Sequence, residues 1–221
     1  MRTILATIIL LMSILNGITL HVPGDYSNIQ SALNSAIEGD TVLVSTGTYY
    51  ENIIWPAENG ISLIGSGQQN CIIDGYQLAS VIRIENSGWM IDQATKIEGF
   101  TIQNGHAQGG SPMYKGGGIF IIDGSPIIQN ITLRNNTAGS AGGGIHLENS
   151  STQLEFVTVI NNYANYGGGI NMSGSAPMIH RLTLANNAAN YGGGINLFNT
   201  AEPLVLNSIL WGNTSPQIRF S

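Results

Sequence analysis

The sequence predicts an all-β solenoid, in which short strands wind into coils of about 25 residues that stack on one another. Three observations predict it. First, a phrase returns four times: Gly116-Gly117-Gly118-Ile119, Gly142-Gly143-Gly144-Ile145, Gly167-Gly168-Gly169-Ile170 and Gly192-Gly193-Gly194-Ile195, with steps of 26, 25 and 25 residues between successive Ile. A fixed period in this range marks one supersecondary unit stacked on copies of itself. Second, each Gly run opens a short stretch alternating at period two: Ile119-Phe120-Ile121, Ile145-His146-Leu147, Ile170-Asn171-Met172 and Ile195-Asn196-Leu197. That is a strand period, in runs too short for a helix. Third, Asn135-Asn136, Asn161-Asn162 and Asn186-Asn187 hold one place in the period, just after Ile131-Thr132-Leu133, Val157-Thr158-Val159 and Leu182-Thr183-Leu184.

Twenty-five residues without a helix bury no core alone. They do so if the chain winds around once per unit and equivalent strands pair in parallel, about 4.8 Å apart. The interior then consists of columns: Ile119, Ile145, Ile170 and Ile195; Ile121, Leu147, Met172 and Leu197; Leu133, Val159 and Leu184. Asn tolerates the left-handed conformation of a sharp turn, and stacked Asn amides bond to the copies above and below. The glycines allow a tight corner where coils approach closely. A phosphate-cradling role would need a following helix and usually a Lys, and a strand follows each run instead.

Taken in order, the chain opens with Met1-Arg2 and an apolar run from Ile4 to Leu15. This reads as a secretory signal over 1–17, too short for a membrane anchor, so the mature chain is expected to be secreted or at the cell surface without a transmembrane anchor. Residues 18–40 are expected to form an N-terminal cap. Ile29, Leu33, Ala36 and Ile37 share one helical face, Ser27 with Gln30 fits a capping box, and Gly39 fits a helix stop. Such a helix plugs the open end of a coil stack. From 41 to 221 the chain is expected to form about six or seven coils, less regular over 61–104, with a loop inserted at 105–115. Ser208-Ile209-Leu210-Trp211-Gly212-Asn213 takes the strand-and-turn position of the last unit. The end at Ile218-Arg219-Phe220-Ser221 falls partway through a coil, and an open parallel edge there implies missing sequence or a further subunit.

Charged residues are only 9% of the chain, so Asn, Ser, Thr, Gln and Gly cover the exterior. A net charge of −6 argues against a nucleic-acid partner, which needs a basic face. Cys71 is the sole cysteine, so no intrachain disulfide forms, and beside Ile72-Ile73 it reads as a small buried hydrophobe.

The segment Ile29-Gln30 through Gly39-Asp40-Thr41-Val42, Gly47-Thr48-Tyr49, Glu51, Leu63-Ile64-Gly65 and Ile73-Asp74-Gly75 resembles the start of pectin-lyase-like, right-handed parallel β-helix proteins. The Gly-Gly-Gly-Ile and Asn-Asn coils resemble the right-handed β-helix region repeats of secreted bacterial proteins, and are similar to repeats of polymorphic outer-membrane proteins and adhesins. The resemblance implies a right-handed solenoid over roughly residues 22–216. It leaves activity open, because that superfamily holds pectate lyases, pectin methylesterases, polygalacturonases, alginate-modifying enzymes and non-catalytic surface proteins. The catalytic signatures of these enzymes do not carry over: there is no Gly-Arg-Pro-Trp, no Asp-Asp pair with Gly-His-Gly, and no Asp cluster for calcium. No cofactor is expected, with calcium implied only by analogy to the family.

Two rows could carry chemistry. One runs His146, Asn171 and Asn196, with Glu148 and Ser173 two residues further along each strand. The other runs Gln129, Glu155 and His180. A His and a carboxylate one coil apart can act as a base and its orienting partner; a solvated polar face is the alternative. Tyr166 and Tyr191, each just before a Gly run, are expected to stack, with Tyr114 close to the same place. Tyr beside Asn offers sugar rings an apolar face framed by hydrogen bonds; rings that simply cover a corner are the alternative. The functional expectation is a protein that binds glycans or partners through its elongated face. A polysaccharide lyase or glycoside hydrolase is the second possibility.

Overall fold

The computed structural model describes residues 17–85, 91–214 and 216–221. The signal segment expected over 1–17 therefore lies outside the described residues, apart from Gly17. The described chain is a right-handed parallel β-solenoid of about eight turns with one short helix. Every strand pairing in it is parallel.

Eight rungs make the first wall: Thr19–Val22, Thr41–Val44, Ser62–Gly65, Lys96–Glu98, Ile127–Arg134, Gln153–Ile160, Met178–His180 and Leu204–Leu206. The second wall continues from it through the far halves of the two eight-residue strands, and includes Cys71–Asp74, Thr101–Gln103 and Thr183–Ala185. The third wall stacks Ile53–Ile54, Ile82–Glu85, Ile119–Ile122, Ile145–Glu148, Ile170–Ser173, Ile195–Phe198 and Ile218–Phe220. The sequence suggests six or seven coils because the early rungs keep no period. Register partners Thr19, Thr41, Ser62, Lys96 and Ile127 are separated by 22, 21, 34 and 31 residues.

The expected columns form the core. Ile119, Ile145 and Ile170 are in register and fully buried, and Ile195 continues them; Leu133, Val159 and Leu184 do the same on the second wall. Each such side chain contributes roughly 1.5–3 kcal/mol relative to exposure. The corners repeat too. Asn135, Asn161 and Asn186 all have φ of 55°, the left-handed conformation that Asn tolerates at low cost. The partner Asn of each pair turns inward. Asn136, Asn162, Asn187 and Asn213 form a buried amide ladder, each Nδ2 donating to the next Oδ1 at 2.9–3.1 Å.

A smaller, four-stranded sheet stands outboard: His106–Ala107, Thr137–Ala141, Tyr163–Tyr166 and Ala188–Tyr191. Its own buried cluster is alanine alone (Ala107, Ala138 and Ala164), separate from the main core. The Gly runs explain how it lies so close. A Cβ on Gly143 would overlap the carbonyl oxygens of Gly168 and Tyr163, and one on Gly168 those of Ala188 and Gly193. Glycine is thus required by backbone-to-backbone approach as well as by the positive φ of the first residue of each run.

The helix spans Ile29–Ser35 and packs on the first rungs, burying Ile29, Ala32 and Leu33. Its cap differs from the expected one. Asn28, one residue after Ser27, accepts from Ser31 N at 2.8 Å, and the Glu51 carboxylate accepts from Ile29 N and Gln30 N. The helix ends before Gly39, at Ala36 in extended conformation, which leaves Ile37 exposed.

Candidate functional site

The outboard sheet overhangs the third wall, and the space between them is a cleft of about 500 Å³. Its floor is His146, Asn171, Asn196 and Arg219 of that wall's outward row, which continues in register beyond the cleft to Phe120 and Arg83. The sequence places His146, Asn171 and Asn196 on one outward row, and they are there. Their exposure is nevertheless only 1%, 4% and 2%, so this is no solvated face. The overhang was not legible from the alternation, which separates in from out but does not report what lies above.

The floor is one continuous chain of contacts. Arg219 Nη1 donates to Asn196 Oδ1 at 3.1 Å, Asn196 Nδ2 to Asn171 Oδ1 at 2.7 Å, and Asn171 Nδ2 to His146 Nδ1 at 3.1 Å. His146 Nε2 lies 3.2 Å from Glu148 Oε2, which also accepts from Lys115 Nζ at 2.9 Å. The directions follow from the ends. A guanidinium only donates and a carboxylate only accepts, so each amide between them has one allowed orientation. His146 is thereby fixed with Nδ1 bare and Nε2 protonated. Its ring stacks on Phe120 (5.4 Å, 6°), and the Arg83 guanidinium, itself paired to Glu85, covers the far face of Phe120 at 4.1 Å.

Burial holds the His146 pKa below its ordinary value, with Glu148 opposing that and Lys115 and Arg83 adding to it. Glu148 is lowered as well: the hydrogen bond from His146, and then Lys115, hold its carboxyl down to about 2 against the opposing effect of burial.

One flank of the cleft is the outboard row, through Ser140, Ala141 and Tyr166, with Tyr191 behind. Tyr166 and Tyr191 stack at 5.0 Å with 14° between planes, and Arg219 lies over Tyr191 at 4.9 Å. Tyr114 does not continue the stack. The register position belongs to Ala141 and Lys115, because the loop before Gly116 shifts Tyr114 one residue out. The other flank is Ser173, Phe198 and Asn199. The second expected row lies on the first wall and does not join the cleft. There Glu155 Oε1 lies 3.5 Å from His180 Nδ1 and Asn207 Nδ2 lies 2.9 Å from His180 Nε2, all on an open surface.

Sequence reasoning missed Lys115, Phe120, Arg219 and Phe198 as site residues. Ile218-Arg219-Phe220 does align with Ile195-Asn196-Leu197, but at a step of 23 and without a Gly run, so the period conceals it. Among the described residues no group of three His, Cys, Asp or Glu side chains is arranged to hold a metal, and no helix is long and apolar enough to cross a membrane.

Comparison with known proteins bears on the coils that build this cleft. No curated protein matches the chain. Among solved structures it is similar to a pectin methylesterase in complex with a hexasaccharide (11% identity, TM-score 0.43, 84% of this chain and 66% of that one). It is also similar to pectin methylesterase PemA from Erwinia chrysanthemi (11%, 0.45, 83% and 70%) and to the deglycosylated pectin methylesterase from Aspergillus niger (13%, 0.36, 93% and 84%). The chain thus spans 66% of the length of the first of these. Residues 117–221, which carry the floor from His146 to Arg219 and both flanks, match the family described as right handed beta helix region.

Proposed function

We propose that this protein binds glycans in the cleft beneath its outboard sheet, as a secreted or cell-surface repeat protein. The observation that carries the proposal is Tyr166, which lines the cleft and is backed by the stacked Tyr191, beside a floor of amide side chains. A sugar ring has an apolar C–H face and a rim of hydroxyls that both donate and accept. A tyrosine ring suits the face, and the hydroxyls of Ser140 and Ser173 and the amide of Asn199, which line the cleft above the floor, suit the rim. The cleft is concave, half apolar and preformed, as small-ligand sites usually are. Its row repeats along the solenoid at about 4.8 Å per coil, which favours an extended, repeating ligand over a compact one.

A second reading, a polysaccharide lyase or glycoside hydrolase, draws on the His146–Glu148 contact at the same cleft. The chemistry of that pair favours binding. Both ring nitrogens of His146 are engaged, and a carboxyl held to about 2 is a poor proton donor or acceptor near neutral pH.

The test is an oligosaccharide array probed with the wild-type chain and with Tyr166→Ala, followed by reducing-end and unsaturated-product assays on each positive. Binding without product, weakened about tenfold in Tyr166→Ala, as loss of one stacking contact of about 1.4 kcal/mol implies, supports the proposal. Product formation would establish the enzyme reading instead, and no binding to any glycan would refute both.

A further inference from the structure

The cleft floor has a direction, and one member of it can reverse. Arg219 at one end is an obligate donor and Glu148 at the other an obligate acceptor, with Asn196, Asn171 and His146 between them. This forces His146 Nδ1 to accept. A proton on Nδ1 would face Asn171 Nδ2, donor against donor, at 3.1 Å. Relieving that contact by turning the Asn171 amide moves the clash to Asn196, and turning Asn196 moves it to Arg219, which cannot turn into an acceptor. The conflict has nowhere to go among the three buried members of the row, His146, Asn171 and Asn196, where unmatched polar groups are costly.

We infer that His146 is an acid-release switch for this site: its protonation breaks the amide row and discharges a ligand held on the floor. The inference rests on the glycan-binding reading above and adds how that binding is regulated. Other charged or titratable groups face His146 or the cleft from each neighbouring element. Glu148 lies on its own strand, Lys115 precedes the first Gly run, Arg83 with Glu85 lies behind Phe120, Tyr166 stands on the outboard sheet, and Arg219 is on the last strand. Lys115, Arg83 and Arg219 are cations and none offers an acceptor to a second imidazolium proton. Glu148 can accept only from Nε2, the nitrogen it already faces.

Two measurements test this. In the first, the array oligosaccharide giving the strongest signal at pH 7.5 is titrated against wild type and against His146→Asn, which carries the amide that the next two coils already have. Wild type is expected to lose at least tenfold in affinity between pH 7.5 and pH 4.5. His146→Asn, whatever its affinity at pH 7.5, is expected to change less than twofold. Parallel pH profiles for the two proteins would overturn the switch while leaving glycan binding intact. The second needs no ligand: nitrogen NMR of histidine-labelled protein with assigned Asn side-chain amides. The row demands the Nε2–H tautomer at neutral pH, and the Asn171 and Asn196 amide signals should move with the His146 titration. A Nδ1–H tautomer, or titration that leaves both amides unmoved, would overturn the inference even if no glycan binds.

Discussion

Asn162 Oδ1 accepts two hydrogen bonds from the coil below, from Asn136 N at 2.9 Å and Asn136 Nδ2 at 3.1 Å, so a single amide joins two coils through both backbone and side chain. Its Nδ2 donates in turn to Asn187 Oδ1 and to the carbonyls of Leu133 and Ile160. All this is buried. Asn162→Ala therefore strands at least one backbone N–H and several acceptors, at roughly 1–3 kcal/mol for each group left without a partner. We expect a loss of about 3 kcal/mol, read as a lowered urea midpoint with an unchanged slope. A loss below about 1 kcal/mol would mean that water replaces the ladder.

The glycine runs should divide sharply from other glycines of the same coils. Gly143 does not have a positive φ, so its requirement is purely spatial: its Cβ would strike the carbonyls of Tyr163 and Gly168, neither of which can move without opening a rung. Gly143→Ala is expected to destabilise by about 2–3 kcal/mol, the upper range for overpacking. Gly139, on the outboard strand, would place a Cβ 3.5 Å from Ala107 O, an ordinary contact. Gly139→Ala is expected to be neutral or to stabilise by up to about 1 kcal/mol through the unfolded chain. Thermal melts of the two variants side by side decide whether close approach is the reason for the runs.

Why the coils were legible and the cleft only half so follows from the same geometry. Ile119, Ile145, Ile170 and Ile195 announce a column because inward positions repeat chemically as well as spatially. The outward row that supplies the floor repeats in space but changes in kind, from Arg83 through Phe120 and His146 to Arg219, and only its central part, His146, Asn171 and Asn196, stands out as a row. Tyr166 and Tyr191 stand out because both precede a Gly run; Ala141 and Lys115 hold the same row and carry no such signal. The first rung, Thr19–Val22, has four residues and no repeat phrase, and its membership in the stack comes from pairing with Thr41–Val44.

The corner between the first and second walls invites a stabilising change. Residues there take positive φ, and the position is filled by Gly99, Asn130, Phe156, Arg181 and Asn207 in successive coils. Left-handed backbone costs a bulky residue roughly 1–2 kcal/mol and Asn or Gly less. Phe156 recovers part of this through the Arg181 guanidinium over its ring at 4.6 Å, worth about 0.5–1 kcal/mol at an exposed site. Strain outweighs the contact, so Phe156→Asn should stabilise the fold by about 0.5–1 kcal/mol. Chemical denaturation reads the difference, and destabilisation would show that the ring's packing has been undervalued.

Stability should fall on acidification from two onsets, near pH 6.5 for His146 and near pH 4.5 for Glu148. The folded state holds His146 neutral and lowers its pKa from 6.5, burial being the main cause. The unfolded chain then takes up a proton that the folded chain refuses, so stability is flat above about pH 6.5 and declines as pH drops below it. Glu148 is lowered from 4.5 to about 2 by the hydrogen bond from His146 and by Lys115. Its contribution is complete above 4.5 and is lost as pH falls from there toward 2. Urea midpoints measured at pH 8, 6.5, 5 and 3.5 should show both declines. His146→Asn should flatten the upper one and Glu148→Gln the lower. A wild-type curve that is level between pH 8 and pH 5 would mean that His146 takes its proton inside the fold at no cost, and the row from Arg219 to Glu148 would then have no fixed direction.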